Sequence, residues 1–330
     1  MSELIKNRSE ILFLYDVTDA NPNGDPIDEN KPRIDEETGI NIVTDVRLKR
    51  TIRDYLINFK NKKDEIFIKE IVKNDGQQKT REERIEEEDI RTLEDTEKLK
   101  TKYIDLRLFG ATICLKGKKS KKEEKKEEEE AKGQRGTPPI TWTGPVQFKY
   151  GRSLHKVDLT YVKGTTVMPS KEGMTQSTFT ERYILPYSLI VFYGIVNENA
   201  AKETKLTEED VSLMLEGIWN GTKNLISGSK FGQVPRLLVQ IIYKKGNNFY
   251  IGELDKRISL NSTKNNDKEI RNISEVKIDI TNLMKALADH KDEIEKIQLK
   301  VDNRAAFIKD GEDVKIRDVL NGFKVEDLNF

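Results

Sequence analysis

The chain has a single cysteine, Cys114, and two histidines, His155 and His290, among its 330 residues. One thiol cannot close an intramolecular disulfide, and between Ile113 and Leu115 it reads as a small buried hydrophobe. So few thiols and imidazoles exclude a Cys/His zinc site. Long apolar runs are missing as well. No stretch approaches the length of a membrane span, and residues 1–8 carry no signal-peptide core. Walker, dinucleotide-binding and GxSxG elements are absent, and His155 has no evident triad partner. Neither sign of charge dominates: 58 basic and 58 acidic side chains give a formal net charge of zero. That balance argues against coating nucleic acid over the whole surface but permits a local basic groove. With 35% of residues hydrophobic and 35% charged, much of the chain must be solvated surface or loop. The expectation is a soluble cytoplasmic protein of one large elaborated domain or two ordinary ones, with no cofactor.

Residues 10–17 (EILFLYDV) are rich in strand formers and end in a Pro/Asn/Gly cluster, which predicts a buried strand. Residues 21–39 read as loop, punctuated by Pro22, Gly24, Pro26 and Pro32. Thr44 and Asp45 offer an N-cap, and residues 46–59 are an amphipathic helix with Leu48, Ile52, Tyr55, Leu56 and Phe59 on one face. Residues 64–102 have helical propensity, strong charge and sparse apolar positions at Ile85, Ile90, Leu93 and Leu99, so they read as a peripheral helical insertion. Residues 104–115 turn apolar again and should rejoin the core. The lysine and glutamate blocks of 118–132 cannot bury an apolar face, which predicts a disordered loop; their near-equal glutamates make a nucleic-acid tail a poor reading.

Further on, residues 142–159 contain the strand-like VQFKY and an exposed Gly151-Arg152-Ser153. Residues 163–180, rich in Gly, Ser and Thr, suggest a protruding hairpin or loop. Residues 182–196 are the most apolar stretch, hence a central strand, with Pro186 at its start or at a bulge. Thr207 opens a capping-box-like helix carrying Val211, Leu215, Ile218, Trp219 and Leu225. A second glycine loop, residues 227–233, leads into a strand at 236–243. The C-terminal part predicts a strand near 276–280, a helix to about Lys296 and mixed short elements. Without its insertions the order is strand, helix, strand, strand, helix, strand. That is the α+β, ferredoxin-like arrangement of RNA-recognition motifs.

Three groups of residues could carry chemistry. Asp16, Asp19, Asp25 and Asp28 suggest a divalent-metal site, yet tight turns require the same residue types, and the spacing is not that of a calcium loop. A backbone-shaping loop whose amides could hold a phosphate is the preferred reading. On the helix, Lys49 and Arg53 lie four apart, with Arg50 beside them and Arg47 nearby. Such a stripe can neutralise consecutive phosphates, and no acid lies between Val46 and Arg53; the alternative is a solvated helix face. Lys230, Phe231 and Gln233 combine a cation and a stackable aromatic with flanking glycines, the alternative being an ordinary turn with Phe231 tucked into the core.

These pieces resemble the RAMP-type backbone subunit of type I CRISPR Cascade, the "Cas-seven" family, and its type I-B branch. The matching residues are FLYDVTDANPNGDP (13–26), PRID (32–35), TGINIVTDVRLKRTIRDYL (38–56), DLRLFGA (105–111), GPVQFKYGRSLH (144–155) and ILPYSLIVFYG (184–194). The resemblance covers most of residues 10–245; the charged insertions and the C-terminal third match loosely. It implies an RRM-like palm in three parts (1–60, 104–160 with a mobile charged loop at 116–136, and 182–260). It further implies a helical fingers-like insertion at 61–103, a thumb at 161–181 and a C-terminal extension, 261–330, packing on the palm. Copies would stack head-to-tail along a crRNA that pairs with target DNA, with other Cascade subunits, large, small and capping, alongside.

By position, Lys49 would be the chief phosphate ligand, supported by Arg50 and Arg53. Asn21, Asn23 and Gly24 would make loop contacts, and Arg152, Lys230, Phe231 and Gln233 would complete the groove. Val167 and Met168 would be the thumb's apolar wedge. The family's thumb commonly carries several basic residues, whereas this one has Lys163 and Lys171 beside Glu172. A subunit of this kind is not an enzyme: it holds any guide sequence by reading backbone and shape. The rivals are a metal-dependent RNase of the same superfamily, with Asp25 or Asp28 as the cutting residue, and a free-standing RNA-binding protein.

Overall fold

The apolar run at residues 10–17 becomes strand β1, Ser9–Ala20, and every side chain from Ser9 to Val17 is buried. The computed structural model describes residues 3–90, 92, 94–113, 139–165 and 179–330, and its fold is mixed α and β. Cys114, the charged loop at 116–136, and Val167 and Met168 lie outside the described residues. The chain divides into a larger unit (Lys6–Tyr55, Gln147–Val196, Leu213–Phe330) and a smaller one (Met1–Ile5, Leu56–Val146, Asn197–Ser212). Among the described residues no helix is long and apolar enough to cross a membrane.

In chain order, β1 is followed by helix α1 (Asp45–Phe59), β2 (Gly151–Lys156), β3 (Phe179–Val196), α2 (Glu208–Lys223) and β4 (Gln233–Tyr243). The strands lie side by side as β4-β1-β3-β2, all antiparallel. A further strand, β5 (Ile294–Val301), extends the sheet beyond β4, and Ile40–Val43 closes the other edge against β2. Residues 325–327 pair in turn with β5, in parallel, at the sheet's margin. Neither β5 nor Ile40–Val43 is evident from periodicity, because each is short or mixed in composition. Residues 151–153, expected to be exposed, lie in β2, where Gly151 and Ser153 are buried and only the Arg152 side chain faces solvent. Pro186 falls where the β1–β3 register passes from Thr18–Tyr187 to Ala20–Leu185. Lacking an N–H, it fits the one gap in that ladder.

Both faces of the sheet are covered. At odd positions of β1, Phe13 stacks on Tyr15 (ring centroids 5.5 Å apart) and Tyr15 on Phe192 (6.3 Å), on the side that α1 and α2 cover. The two helices approach closely at Gly217 and Gly221. A Cβ on Gly217 would meet Ile52 at 3.2 Å, and one on Gly221 the Thr51 carbonyl at 3.0 Å. At even positions, Leu12 and Leu14 join Tyr187, Leu189, Val191, Leu237, Val239 and Ile241 in a core closed by Leu254, Ile273, Val276, Ile278, Leu283 and Leu287 from the C-terminal third. The expected helix there is shorter, Thr281–Asp289, because the chain turns into β5 at Ile294. Phe59, assigned to the buried face of α1, is 55% exposed: it is the last residue of the helix.

The smaller unit has its own core of Phe67, Ile85, Ile90, Leu99, Tyr103, Leu106, Ile113 and Trp142. Residues 104–113, expected to rejoin the main core, form the helix Ile104–Phe109 and the strand Gly110–Ile113 in this unit. Buried Asp105 anchors the unit by accepting the Phe67 and Ile68 N–H groups at 2.9 and 3.0 Å. Arg107 grips Asp210 through two hydrogen bonds of 2.8 Å.

His155 is a structural pin rather than a catalytic base. Its ring is buried and stacked on Tyr187; Nδ1 lies 2.9 Å from the Lys156 carbonyl, and Nε2 accepts the Leu189 N–H at 3.1 Å. The second bond requires a neutral ring, and burial lowers the pKa from its ordinary value. A folded pKa below the unfolded one means that His155's contribution is complete above about pH 6.5 and is lost as pH falls below it. Thermal denaturation between pH 7.5 and 5.5 is therefore expected to show a steeper loss of Tm for the native chain than for His155→Gln. Parallel curves would refute the assignment.

Candidate nucleic-acid interface

At one end of the sheet β1 runs out at Ala20, β3 enters the ladder at Leu185 and β4 begins at Gln233. Here the loop of residues 21–32, the glycine loop 227–232, the first turns of α1 and a hairpin stem converge. The stem pairs Thr160–Thr165 with residues 179–184 of β3. Tyr183 Oη donates to Glu29 at 2.9 Å, and Lys31 Nζ sits 5.2 Å from the Tyr183 ring centroid. The Arg182 guanidinium reaches the Gly228 carbonyl at 3.4 Å. Lys163 lies 4.3 Å from the centroid of the exposed Phe179 ring.

The 21–32 loop is braced from within. Asn21 is buried; its amide donates to the Asn30 carbonyl at 2.6 Å and its backbone N–H to the Ser229 carbonyl at 2.8 Å. The Asn23 side-chain Oδ1 accepts both the backbone N–H (2.8 Å) and the hydroxyl (2.9 Å) of Thr44, the residue just before α1. Gly24 pairs with Pro32 in a two-residue ladder. Asp25 accepts the Ile27 N–H at 3.0 Å and the Arg33 guanidinium at 2.5 Å, while Asp28 takes Lys31 at 2.7 Å. Asp16 is buried against Arg236 at 2.8 Å and Tyr187 at 3.1 Å, away from the other loop carboxylates. Among the described residues no three His, Cys, Asp or Glu side chains gather to hold a metal ion. The asparagines, too, are held by the protein: their side chains shape the loop, the N–H groups of Ile27, Asp28, Asn30 and Lys31 are bonded within it, and its tip is what it presents. Ile27 at that tip is 97% exposed.

The basic stripe on α1 is uneven. Arg53, placed on the open stripe by its spacing from Lys49, is 9% exposed and packs inward. Lys49 pairs with Asp45 at 2.8 Å, and Arg50 with Asp54 at 3.5 Å. Those acids lie immediately outside the acid-free window 46–53, at the i,i+4 distance that lets side chains meet on a helix. The Lys49 and Asp45 side chains keep 15% and 20% of their exposure, those of Arg50 and Asp54 keep 55% and 42%. Arg50 is thus the more accessible cation. Arg152 reaches Asp35 at 3.5 Å.

In the 227–232 loop the outcome is split. Phe231 is not tucked into the core: it is 68% exposed. Gln233 is buried and donates to the Lys230 carbonyl at 3.0 Å. Lys230 Nζ donates to the Asn21 carbonyl at 2.6 Å, and burial, with the nearby Arg47 charge, pushes its pKa down to about 8. Arg47, named from the sequence only as a neighbour of the stripe, and Arg182, not named from it at all, both belong to this cluster. The signal for Arg47 is its place two residues before Lys49; for Arg182 only the hairpin register supplies one.

Gly232 holds φ at +109°, and a Cβ there would lie 2.3 Å from the Thr18 carbonyl oxygen. Gly232→Ala is expected to cost about 2 kcal/mol or more, through left-handed strain and displacement of β1's end. Phe231→Ala, two-thirds exposed, should leave Tm within a degree or two. Thermal melts of the two variants side by side test this split, and a large loss for Phe231→Ala would place that ring in the core after all.

A family model described as CRISPR-associated protein Cas7 matches residues 7–281. The chain is 34% identical over 311 residues to the CRISPR-associated protein Cas7 of Haloferax volcanii, covering 90% of this chain and 88% of that one. Among solved structures, a chain of a CRISPR RNA-guided surveillance complex in a pre-nicking state aligns with a TM-score of 0.52 at 13% identity, over 92% of this chain and 96% of that one. A second CRISPR RNA-guided surveillance complex contains a chain that aligns with a TM-score of 0.50 at 11% identity, over 97% and 94% respectively.

Proposed function

Given that the chain belongs to the CRISPR-associated Cas7 family, we propose that it is a crRNA-binding backbone subunit of a type I Cascade, of the I-B branch, and not an enzyme. In this reading β1, α1, β2, β3, α2 and β4 are an RRM-like palm, residues 61–103 lie within a fingers-like insertion, and 161–181 are the thumb. Copies stack head-to-tail along the guide in the cytoplasm, present it to target DNA, and meet other Cascade subunits at their ends and flanks. The observation that carries the reading is the gathering of α1's cations, exposed Phe231 and the hairpin stem around one internally braced loop.

The covered sheet faces support a particular place for RNA. RNA-recognition motifs stack bases on an open sheet. Here the face opposite the helices is packed under Leu254, Ile273, Val276 and Leu283. In this reading the guide is left the loop end of the sheet, where Arg50 and Lys49 would meet phosphates and Phe231 can stack on a base. Contacts of that kind read no sequence, as a guide holder requires.

Binding to guide-length RNA is the direct test. Lys49→Ala/Arg50→Ala should weaken binding by about tenfold or more for every guide sequence and flatten the salt dependence by roughly one to two phosphates, with Arg50 carrying the larger share. Stoichiometry should rise stepwise with RNA length; one protein per RNA at every length would favour a free-standing RNA binder. Complementary RNA with magnesium should survive intact. Regularly spaced cuts abolished by Asp25→Ala would overturn the non-catalytic reading in favour of the RNase.

A further inference from the structure

Many cations of the larger unit lean on a carboxylate: Lys277 has Asp313, Lys296 has Glu326 and Lys149 has Asp255. Three on the C-terminal cover do not. Lys256 and Arg257 lie at the end of the turn Leu254–Lys256, and Lys285 projects from the helix Thr281–Asp289. Among the described residues none of the three forms an ion pair. All three line one cavity of about 330 Å³, together with Asn282, Ala286 and Asp289. The helix residues of that lining are spaced i, i+3, i+4 and i+7, which puts them on one face.

One of these cations is aimed. Arg257 Nε donates to the Gly252 carbonyl at 3.2 Å, and the Gly252 N–H is tied at 2.8 Å to buried Glu10. The guanidinium is thus positioned from the core, and among the described residues its two Nη atoms meet no acceptor. The neighbouring acid in sequence, Asp255, is taken by Lys149 at 3.3 Å. Asp289 is the carboxylate in the lining, one helical turn beyond Lys285. It stands in the last turn of its helix, where the dipole disfavours negative charge, and among the described residues it has no hydrogen-bond partner. Its place is therefore not explained by stability.

We propose that this cavity binds a single sugar phosphate, free or as a mononucleotide, with Arg257, Lys256 and Lys285 on the phosphate and Asp289 accepting a sugar hydroxyl. A phosphate has enough acceptor oxygens for a fork and two ammonium groups, whereas one carboxylate is used up by the fork alone. Cations gathered round one cavity, with an acid a turn away, suit one phosphate with a donor beside it; a strand would need cations spaced along a track. The volume lies at the small end of the range for small-molecule sites. Ala286 is the apolar residue of the lining, so a base is not gripped. The site is independent of the guide-binding reading, whose residues lie at the loop end of the sheet.

The test is calorimetric titration of the full chain with AMP, ribose 5-phosphate, inorganic phosphate and single-stranded DNA. AMP and ribose 5-phosphate should saturate one site with similar affinity, and inorganic phosphate should bind more weakly. Lys256→Gln/Lys285→Gln should weaken all three by about tenfold or more, and Arg257→Lys, which keeps charge but loses the fork, should weaken them as well. Asp289→Ala should act in opposite directions: weaker for AMP, tighter for inorganic phosphate. These variants should melt with the native chain, because Lys256, Lys285 and Asp289 are exposed and Arg257 is changed conservatively. The proposal is overturned if neither AMP nor ribose 5-phosphate saturates, if the charge variants bind as the native chain does, or if Asp289→Ala shifts AMP and inorganic phosphate alike. DNA binding that tightens with strand length and is lost in Lys256→Gln/Lys285→Gln would also overturn it, by making the cavity part of a polyanion track.

Discussion

The face of the sheet opposite α1 and α2 is closed by the chain's own C-terminal third, and this burial constrains everything at the sheet's margins. Leu12, Leu14, Val191, Val239 and Ile241 lie under that cover with at most 5% exposure. At roughly 1.5–3 kcal/mol for each such side chain, no ligand contact could compensate for lifting the cover off. The polar residues caught beneath it must then find partners inside. Glu10 accepts the Tyr193 and Tyr243 hydroxyls and the N–H groups of Ile251 and Gly252. Asp16 takes Arg236 and Tyr187. A strand buried on both faces therefore has one place to offer function, the loop that leaves its end.

That loop is made rigid by the protein's own hydrogen bonds. Asn21, Asn23 and Asp25 spend their side chains on Asn30, Thr44, Ile27 and Arg33. The entropy of ordering the loop is lost during folding, so it is not charged again when a ligand binds. The asparagines thus act one step back from contact: they fix where α1 begins, through Thr44, and where the 227–232 loop lies, through Ser229. A polyanion would meet the exposed surface they hold in place, namely Ile27, Arg50 and Phe231.

Much of this was legible in the sequence, and the failures have physical causes. The apolar run of β1, the N-cap at Thr44, the period of α1 and the run that became β3 were readable because burial imposes a period locally. Arg53 was misplaced because spacing from Lys49 fixes an angle on the helix but not how far the neighbouring core wraps round it. The pairing of Arg50 with Asp54 was missed because the acid-free window was drawn one residue too short. Phe231 could have lain either way, since a glycine loop gives no period to read. The covering role of the C-terminal third had no local signal at all: Ile273, Ile278 and Leu283 look like ordinary short-element hydrophobes until the tertiary fold sets them against β1.

A chain of zero net charge that holds a polyanion must solve a local problem, because no long-range field draws the partner in. Its accessible cations need to stay poised without being neutralised so firmly that a phosphate cannot displace the counterion. The exposed Arg50–Asp54 pair, at 3.5 Å, meets that need. An i,i+4 pair of this kind is worth about 0.3–0.5 kcal/mol, against roughly 1.5–3 for a hydrogen bond to a charged group. On the proposed reading Asp54 would steady Arg50 against the helix yet yield to a phosphate that arrives in the right place. The half-shielded Lys49–Asp45 pair yields less readily, since Asp45 sits in the first turn of α1, where the helix dipole favours its charge. The helix thus carries a graded series. Arg50 exchanges its partner easily and Lys49 exchanges with more resistance.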